Sequence, residues 1–221
     1  MSATIVILLL WAGFAGSHIA LSSAPIRGPL VASVGAARFR ALYSLLALAF
    51  FVPLVWTYFT HKHAGPWLWA LSRGTPLHWV TYVGMLIAFT LLVASLVRPS
   101  PAGLVPGDPM PAGVYRITRH PSFMAFAIFG LTHLLPNGST ADVVFFGGFV
   151  LFALIGGWHQ DQRKLASGDP RFRAFHAATP FLPFTGKATL QGLRELHPVV
   201  IAAGFALTVV IRYFHAGWFG G

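Results

Sequence analysis

The chain has 221 residues, of which 56% are hydrophobic and only 9% charged, and its formal net charge at pH 7 is +10. Soluble domains carry roughly a quarter charged residues, so this composition excludes an ordinary soluble domain. The chain contains no cysteine, which excludes disulfides, thiolate nucleophiles, iron–sulfur clusters and cysteine-ligated haem or zinc. A metal would have to bind histidine, carboxylate or methionine side chains, and the ten histidines outnumber the five acids.

The apolar residues fall into segments long enough to cross the hydrocarbon core of a bilayer, which takes about 20 helical residues. They predict membrane spans at 3–24, 38–60, 77–97, 117–136, 140–160 and 196–217. No basic residue precedes the first span, so we expect a mature helix rather than a cleaved signal peptide. The fourth span is short and begins near Pro121, which predicts an irregular start. Residues 1–221 are therefore expected to form one all-α domain, an integral membrane bundle of about six transmembrane helices.

Turn composition and basic residues predict the topology. The stretch "PNGST" at 136–140 predicts a tight turn that makes spans four and five an antiparallel hairpin. Twelve of the fifteen lysines and arginines fall in the loops after spans one, three and five, leaving Lys62, Arg73 and Arg212 on the other side. Because basic loops stay in the cytoplasm, both termini are predicted to lie outside. The positive charge thus reflects membrane topology, and nucleic acid is not an expected partner.

Five of the ten histidines are candidate functional residues because of their depth in the predicted spans. His18 falls in the first span, His133 in the fourth, and His159 near the cytoplasmic end of the fifth. His120 and His78 stand at the starts of spans four and three. An ionisable side chain inside a membrane is costly and is by default a candidate functional residue. The structural alternative is a neutral imidazole that bridges helices through hydrogen bonds worth about 1 kcal/mol.

The helical neighbours of His133 favour a flat apolar ligand. Phe126, Phe129 and Gly130 precede it by seven, four and three residues, which places them on the same face. The glycine removes bulk beside the imidazole, and the aromatic rings supply a flat wall. Small residues beside aromatic ones are also usual in helix packing, so that interpretation stays open.

His18 repeats this pattern, with Trp11 and Phe14 at seven and four residues before it and Gly16 nearby. Ligation of haem b by two imidazoles would suit a cysteine-free bundle. Arginines at the rim could pair with the haem propionates, because the guanidinium fork matches a carboxylate; the candidates are Arg27, Arg116 and Arg119.

Zinc is the weaker metal hypothesis. Zinc sites favour closely spaced ligands and carboxylates that orient them. His61 and His63 in "HKH" have close spacing, but we expect them in a solvated loop or an adventitious site. His215, near the end of the last span, is expected to be structural or interfacial.

Several stretches carry a family resemblance: "HIALSSAPIR" followed by "RFRALYSLLAL", "GVYRITRHP" followed by "FAIFGLTHLLPNG", and "GGFVLFALIGGWHQDQRK". In this order and spacing they resemble the NnrU-type bacterial membrane proteins and their plant relatives, the zeta-carotene isomerases of plastids. The resemblance runs from the first span to about residue 185.

This resemblance implies a multi-pass protein of the bacterial inner membrane, so the outer side on which the charge distribution places both termini would be the periplasm. It implies a haem b whose iron is carried by two histidines, which match His18 in "GSHIALSS" and His133 in "GLTH". The implied reaction isomerises a cis double bond of a polyene, after an electron donor reduces the iron and frees a coordination site. NnrU-type proteins are also associated with nitric oxide and denitrification, so a non-enzymatic haem sensor or assembly factor is a second hypothesis.

Depth within the bundle suggests replacements for either ligand. In the predicted topology His133 lies nearer the outer face and His18 nearer the inner one. If His18 and His133 do not meet at one level, another histidine would be the second ligand. His78 matches His133 in depth, and His120 or His159 matches His18. Otherwise His120 is expected to contact a propionate or to support the fold.

The stretches "YRITRHPSF" and "DPRFRAFHAATPFLPF" also resemble the integral-membrane methyltransferases of isoprenylcysteine and phospholipid amines. Those enzymes hold S-adenosylmethionine with an Arg-His-Pro-x-Tyr motif and downstream glutamates. Arg119, His120 and Pro121 fit, but Phe123 replaces the tyrosine and "DQRK" stands in place of the glutamates. A sulfonium cation should favour nearby acids, which are scarce, so this is the alternative enzyme hypothesis.

Overall fold

The computed structural model describes residues 1–71, 76–101 and 107–220, and within them the regular structure is entirely helical. The helices are α1 Ala3–Ser22, α2 Ala24–Val34, α3 Ala36–Thr60, α4 Leu77–Val97, α5 Val114–Ile117, α6 Pro121–Leu134, α7 Thr140–Ala166, α8 Pro170–Ala178, α9 Thr189–Glu195 and α10 Pro198–Phe219. Five of them, α1, α3, α4, α7 and α10, are long and apolar enough to cross a membrane. The predicted all-α membrane bundle is confirmed.

The fourth predicted span is a broken element rather than one helix over 117–136. α5 ends at Ile117, and α6 begins at Pro121 and has 14 residues, about 21 Å at 1.5 Å per residue. The residue before a proline is driven away from helical geometry, and His120 accordingly has φ −123° and ψ 60°. α6 is therefore shorter than the roughly 30 Å hydrocarbon core.

The apolar helices pack side by side in the order α3, α1, α7, α6, α4, α10. α6 and α7 form the predicted antiparallel hairpin. α1 runs parallel to α7, because Thr4 meets Thr140 at one end (Oγ1 to Oγ1, 3.3 Å) and Ser22 meets His159 at the other (Oγ to Nδ1, 3.5 Å). α3 and α4 stand at a distance from each other in this row, which leaves a cleft between them.

The two ends of the bundle differ in charge. At the end termed here the basic end, α1 and α7 finish and α6 starts; the opposite end holds the starts of α1 and α7 and the finish of α6. The twelve basic residues of the predicted cytoplasmic loops all belong to the basic end. Lys62 and Arg212 lie toward the opposite end, and Arg73 falls outside the described residues. This is the charge separation expected of an oriented membrane protein.

Large apolar side chains cover the outer surface of the bundle. Trp56, Leu96 and Tyr213 are each more than two-thirds exposed, and many leucines and valines accompany them. An apolar belt of this size is costly in water and stable in lipid. The predicted lipid bilayer is therefore the natural surrounding of these helices.

Candidate functional site

His18 lies in α1 among aromatic rings. Its imidazole centre is 4.2 Å from that of Phe14, 4.8 Å from Tyr43 and 5.4 Å from Phe152. Its Nδ1 lies 2.9 Å from the carbonyl oxygen of Phe14, one helical turn earlier. A carbonyl oxygen only accepts hydrogen bonds, so Nδ1 carries the proton and Nε2 keeps its lone pair.

His133 in α6 has the same local geometry. Its Nδ1 lies 2.9 Å from the carbonyl oxygen of Phe129. The rings of Phe129 and His133 are 4.3 Å apart at 42°, against 4.2 Å at 42° for Phe14 and His18. A bond from Nδ1 to a backbone carbonyl is a usual way to orient a histidine that binds a metal through Nε2. Both predicted ligands are therefore in the tautomer that can bind iron.

The structure does not bring these two imidazoles together. His133 packs against Phe146, at 5.0 Å between ring centres, whereas His18 packs against Phe152. These two phenylalanines are six residues apart on α7, which corresponds to about 9 Å along the helix axis. His18 lies toward the basic end and His133 toward the opposite end, as the sequence topology predicts.

A continuous aromatic wall joins the two histidines. Consecutive ring centres from Phe14 to Phe51, Phe149 and Phe129 are 5.4, 6.2 and 5.1 Å apart. Beside the wall lies a cleft of about 260 Å³. Its lining consists only of apolar side chains, from Phe51, Met85, Ala88, Phe89, Leu92, Ala125, Phe126, Phe129 and Phe149.

The cleft has α3 and α4 as its sides and α6 and α7 as its floor. Phe126, a predicted ligand contact, lies on this surface, and Phe129 connects it to His133. Such a lining suits a hydrocarbon or the apolar face of a macrocycle and provides nothing to bind a polar ligand.

Gly130 faces α7 rather than the cleft. A Cβ atom at this position would lie 2.5 Å from the carbonyl oxygen of Phe146 and 2.9 Å from the side chain of Val150. The glycine thus lets α6 and α7 approach closely, which is the packing role that the sequence also allowed. Gly16, beside His18, has open space around it.

The three predicted propionate arginines differ in their partners. Arg116 pairs with Glu195 at 3.0 Å and Arg119 with Asp161 at 2.7 Å, so both already meet a carboxylate of the chain. The Nε of Arg27 is buried and has no hydrogen-bond partner within the described ranges. Arg27 is therefore the one of the three with a buried donor for which the described residues supply no acceptor.

His120 belongs to a buried ionic cluster at the basic end. It is 1% exposed, and its Nε2 lies 2.9 Å from Oδ1 of Asp161, whose Oδ2 accepts from Arg119. Arg119 also donates to the carbonyl oxygen of Thr179. This cluster ties the start of α6 to α7 and to the segment after α8, which fits the predicted role of His120 in the fold.

Two further features bear on the ionic cluster. The carboxylate of Asp161, the acid of the "DQRK" stretch, already accepts a hydrogen bond from Arg119 and lies 2.9 Å from Nε2 of His120. His176 lies 3.6 Å from the same carboxylate. Burial, together with the charge of Arg119, lowers the pKa of His176, so this imidazole is neutral at pH 7.

Residues 6–221 match the sequence model of the family described as NnrU protein. The chain belongs to the NnrU protein family. It is similar to the protein named 15-cis-zeta-carotene isomerase, chloroplastic, of Zea mays, with 27% identity over 195 residues, covering 87% of this chain and 52% of the relative. The Arabidopsis thaliana protein of the same name is 26% identical over 198 residues, covering 88% and 53%.

This NnrU-family chain spans about half the length of the curated relatives it matches. No solved structure matches it significantly. The family resemblance seen in the motifs around His18 and His133 is confirmed, while the roles of the two histidines stay predictions.

The remaining predicted histidines of the NnrU-family bundle lie at its two ends. His159 approaches Ser22, one turn beyond His18 toward the basic end. His78, in the first turn of α4, lies at the opposite end together with His133. Among residues 1–71, 76–101 and 107–220, no group of three or more histidine, aspartate or glutamate side chains could hold a metal ion.

Sequence reasoning missed two features near the opposite end. His215 of α10 lies 6.4 Å from His133 between ring centres; its position near the outer end of the last span was the available signal. His63, expected in a solvated loop, instead contacts the fully buried Asp142, at 2.9 Å from Nδ1 to Oδ2. The hydroxyl of Tyr58 donates to the same carboxylate.

Proposed function

We propose that this NnrU-family protein binds haem b and uses it to isomerise a cis double bond of a hydrophobic polyene. The observation that carries the proposal is the matched geometry of His18 and His133. Each imidazole is oriented by a backbone carbonyl and keeps an Nε2 lone pair. The similarity to proteins named 15-cis-zeta-carotene isomerase supports the reaction and the substrate class.

The residues fit a haem b in their chemistry. Two neutral imidazoles are common ligands of haem iron, and the buried Nε of Arg27 is a donor suited to a propionate. When bound, the haem would supply an iron whose coordination changes on reduction. His18 and His133 would hold it, and the rings of Phe14 and Phe129 fix the orientation of the two imidazoles.

The separation of the histidines has a consequence for coordination. His18 packs against Phe152 and His133 against Phe146, and these two phenylalanines are separated by about 9 Å along the axis of α7. An iron held by both histidines would require the two imidazoles to come together, whereas an iron held by one of them would not. The spin state of the iron, read from optical and electron paramagnetic resonance spectra, distinguishes these forms.

The cleft supports a hydrocarbon substrate. Because the lining is wholly apolar, no polar side chain loses its hydration when a polyene binds. The same lining keeps water from the double bond. A cis–trans isomerisation breaks no σ bond and needs no proton transfer, so it does not require an acid or a base in the lining of the cleft. Residues such as Phe126 and Phe129 would hold the chain by apolar contact alone.

We also propose the orientation that the charges favour. The basic end would face the cytoplasm and both termini the periplasm of a bacterial inner membrane. A reductant that delivers electrons to the iron would then approach the end where His18 lies.

The proposed activity is tested with purified, haem-loaded protein and 15-cis-zeta-carotene in detergent. We expect conversion, followed by chromatography, only after reduction of the iron. His133→Ala should abolish it, and Phe126→Ala should lower it, since Phe126 lines the cleft. Leu151→Ala, on an exposed face of α7, is the matched control and should retain activity. A reduced, haem-loaded protein that leaves the polyene unchanged contradicts isomerase activity.

A further inference from the structure

Three basic side chains gather beside His18 at the basic end. Arg27 comes from α2, while Arg163 and Lys164 come from the last turns of α7. The three lie close enough for their charges to act on one another. Like charges at the boundary of a membrane repel strongly because the dielectric is low. This cation cluster is therefore a place where a negative group would be stabilised.

The acids of the chain are engaged almost entirely elsewhere. There are five in all, and the structure describes every one. Asp108 pairs with Arg171, Asp142 with His63, Asp161 with Arg119, and Glu195 with Arg116, while Asp169 caps α8. Of these, Asp169 is the one whose charge acts on Lys164. One carboxylate at the edge of the cluster leaves it with an excess of positive charge.

Arg27 adds a second, independent observation. Its Nε is buried, and the described part of the chain offers it no hydrogen-bond acceptor. Its guanidinium group lies 5.9 Å from the ring centre of Phe39. A buried donor without an acceptor is unfavourable, and an added carboxylate would satisfy it.

The cluster is placed next to His18 by two contacts. Tyr43 packs its ring 4.8 Å from the imidazole of His18, and its hydroxyl lies within electrostatic reach of Arg163. Ser22, four residues after His18, meets His159, on which the charge of Arg163 also acts. The cations thus lie one to two helical turns beyond His18, toward water.

We propose that Arg27, Arg163 and Lys164 bind the two propionates of the haem, an inference that rests on the proposed function. A haem carries both carboxylates on one edge, and the remainder of the macrocycle is apolar. With its carboxylate edge at the cation cluster, its apolar part meets the rings of Phe14 and Phe152 around His18. Arginine matches carboxylates in a two-pronged manner, which assigns Arg163 a role beside Arg27.

The test compares two macrocycles that differ only in these carboxylates. Protein expressed under haem limitation is titrated with ferric haem b and with its dimethyl ester, and binding is followed at the Soret band. The wild type should bind haem b about tenfold or more tightly than the ester. The double variant Arg27→Gln, Arg163→Gln should lose most of this preference, because only Lys164 of the three cations remains. Arg173→Gln, an exposed arginine at the same end, should keep the full preference.

A charge-retaining variant separates binding from folding. Arg27→Lys should keep most of the wild-type preference for haem b over its ester if the positive charge binds the propionate. A variant that fails to fold would instead lose binding of both macrocycles. Equal affinity of the wild type for haem b and its ester overturns the propionate site while leaving the haem hypothesis standing. A wild type that binds neither macrocycle overturns the proposed function and this site together.

Discussion

His133 and His215 face each other across 6.4 Å, ring centre to ring centre, although they come from α6 and α10. Two imidazoles bound to opposite sides of one metal, each with a bond of about 2 Å, have ring centres roughly 6 Å apart. If the proposed haem lies near His133, His215 would be the imidazole available to replace His18.

Single and double substitutions of His18 and His215 test this role. His18→Ala should retain part of the low-spin haem signal if His215 replaces the lost imidazole. The double variant His18→Ala, His215→Ala should be fully high-spin in electron paramagnetic resonance. Complete loss of the low-spin signal in His18→Ala alone would show that His215 does not reach the iron.

Substitution of Gly130 should lower the stability of the protein, because the atom nearest to an added Cβ belongs to the backbone of α7 and cannot move aside. Gly130→Ala places a methyl group 2.5 Å from the carbonyl oxygen of Phe146, and overpacking of this kind costs about 1–3 kcal/mol. Gly147→Ala, on the neighbouring helix, meets open space and should be neutral or gain up to about 1 kcal/mol from helix propensity. Thermal unfolding in detergent compares the two; equal effects would contradict the close approach of α6 to α7.

The buried carboxylate of Asp161 should be far more sensitive to substitution than the exposed carboxylate of Asp108. Asp161→Asn leaves Arg119 without its counter-charge at a site of 2% exposure, and breaking a buried pair costs about 3–5 kcal/mol. Asp108→Asn removes the exposed pair with Arg171, where at most about 1 kcal/mol is expected. Similar unfolding temperatures for the two variants would mean that the cluster does not hold α6, α7 and the segment after α8 together.

Stability should fall in acid through Glu195. The backbone N–H of Gly113, together with Arg116, holds the pKa of this carboxyl below its ordinary value of 4.5. A lowered folded-state pKa gives stability that is present above the ordinary value and is lost as the pH falls through the lowered one. Thermal unfolding between pH 3 and pH 7 should show this loss, reduced in Glu195→Gln. An unchanged pH profile in that variant would contradict the assignment.

The proposed orientation of the bundle in the membrane can be measured by labelling single introduced cysteines, because the chain itself contains none. Ser2→Cys introduces a thiol at the opposite end and Ser167→Cys one at the basic end, both at exposed positions. A membrane-impermeant maleimide applied to spheroplasts should label Ser2→Cys, and Ser167→Cys only after permeabilisation. The reverse pattern would invert the topology.

Four of the five long apolar helices could be predicted closely because their signal is local, whereas α7 runs to Ala166, beyond the predicted end at 160. The start and end of α3, α4 and α10 fall within about two residues of the predicted spans, since twenty apolar residues in a row leave few alternatives. The break before Pro121 was signalled by the proline, but its extent depends on the Arg119–Asp161 contact, which joins positions 42 residues apart.

The site was predictable only in part, because many of its contacts join residues that are far apart in the sequence. The phenylalanine one turn before His18 and before His133 is visible in the sequence, and both contacts form. The approach of His215 to His133, the Arg163 beside Arg27 and the pairing of His63 with Asp142 each join distant helices or loops. Their spacing along the chain carries no signal of contact, so only the packing of the bundle reveals them.

The haem hypothesis is tested most directly by the optical spectrum of the detergent-purified protein, oxidised and then reduced with dithionite, beside His18→Ala and His133→Ala. We predict a Soret band with sharp α and β bands in the reduced wild type, altered in both variants. A folded, colourless wild type that takes up no added haemin would contradict it.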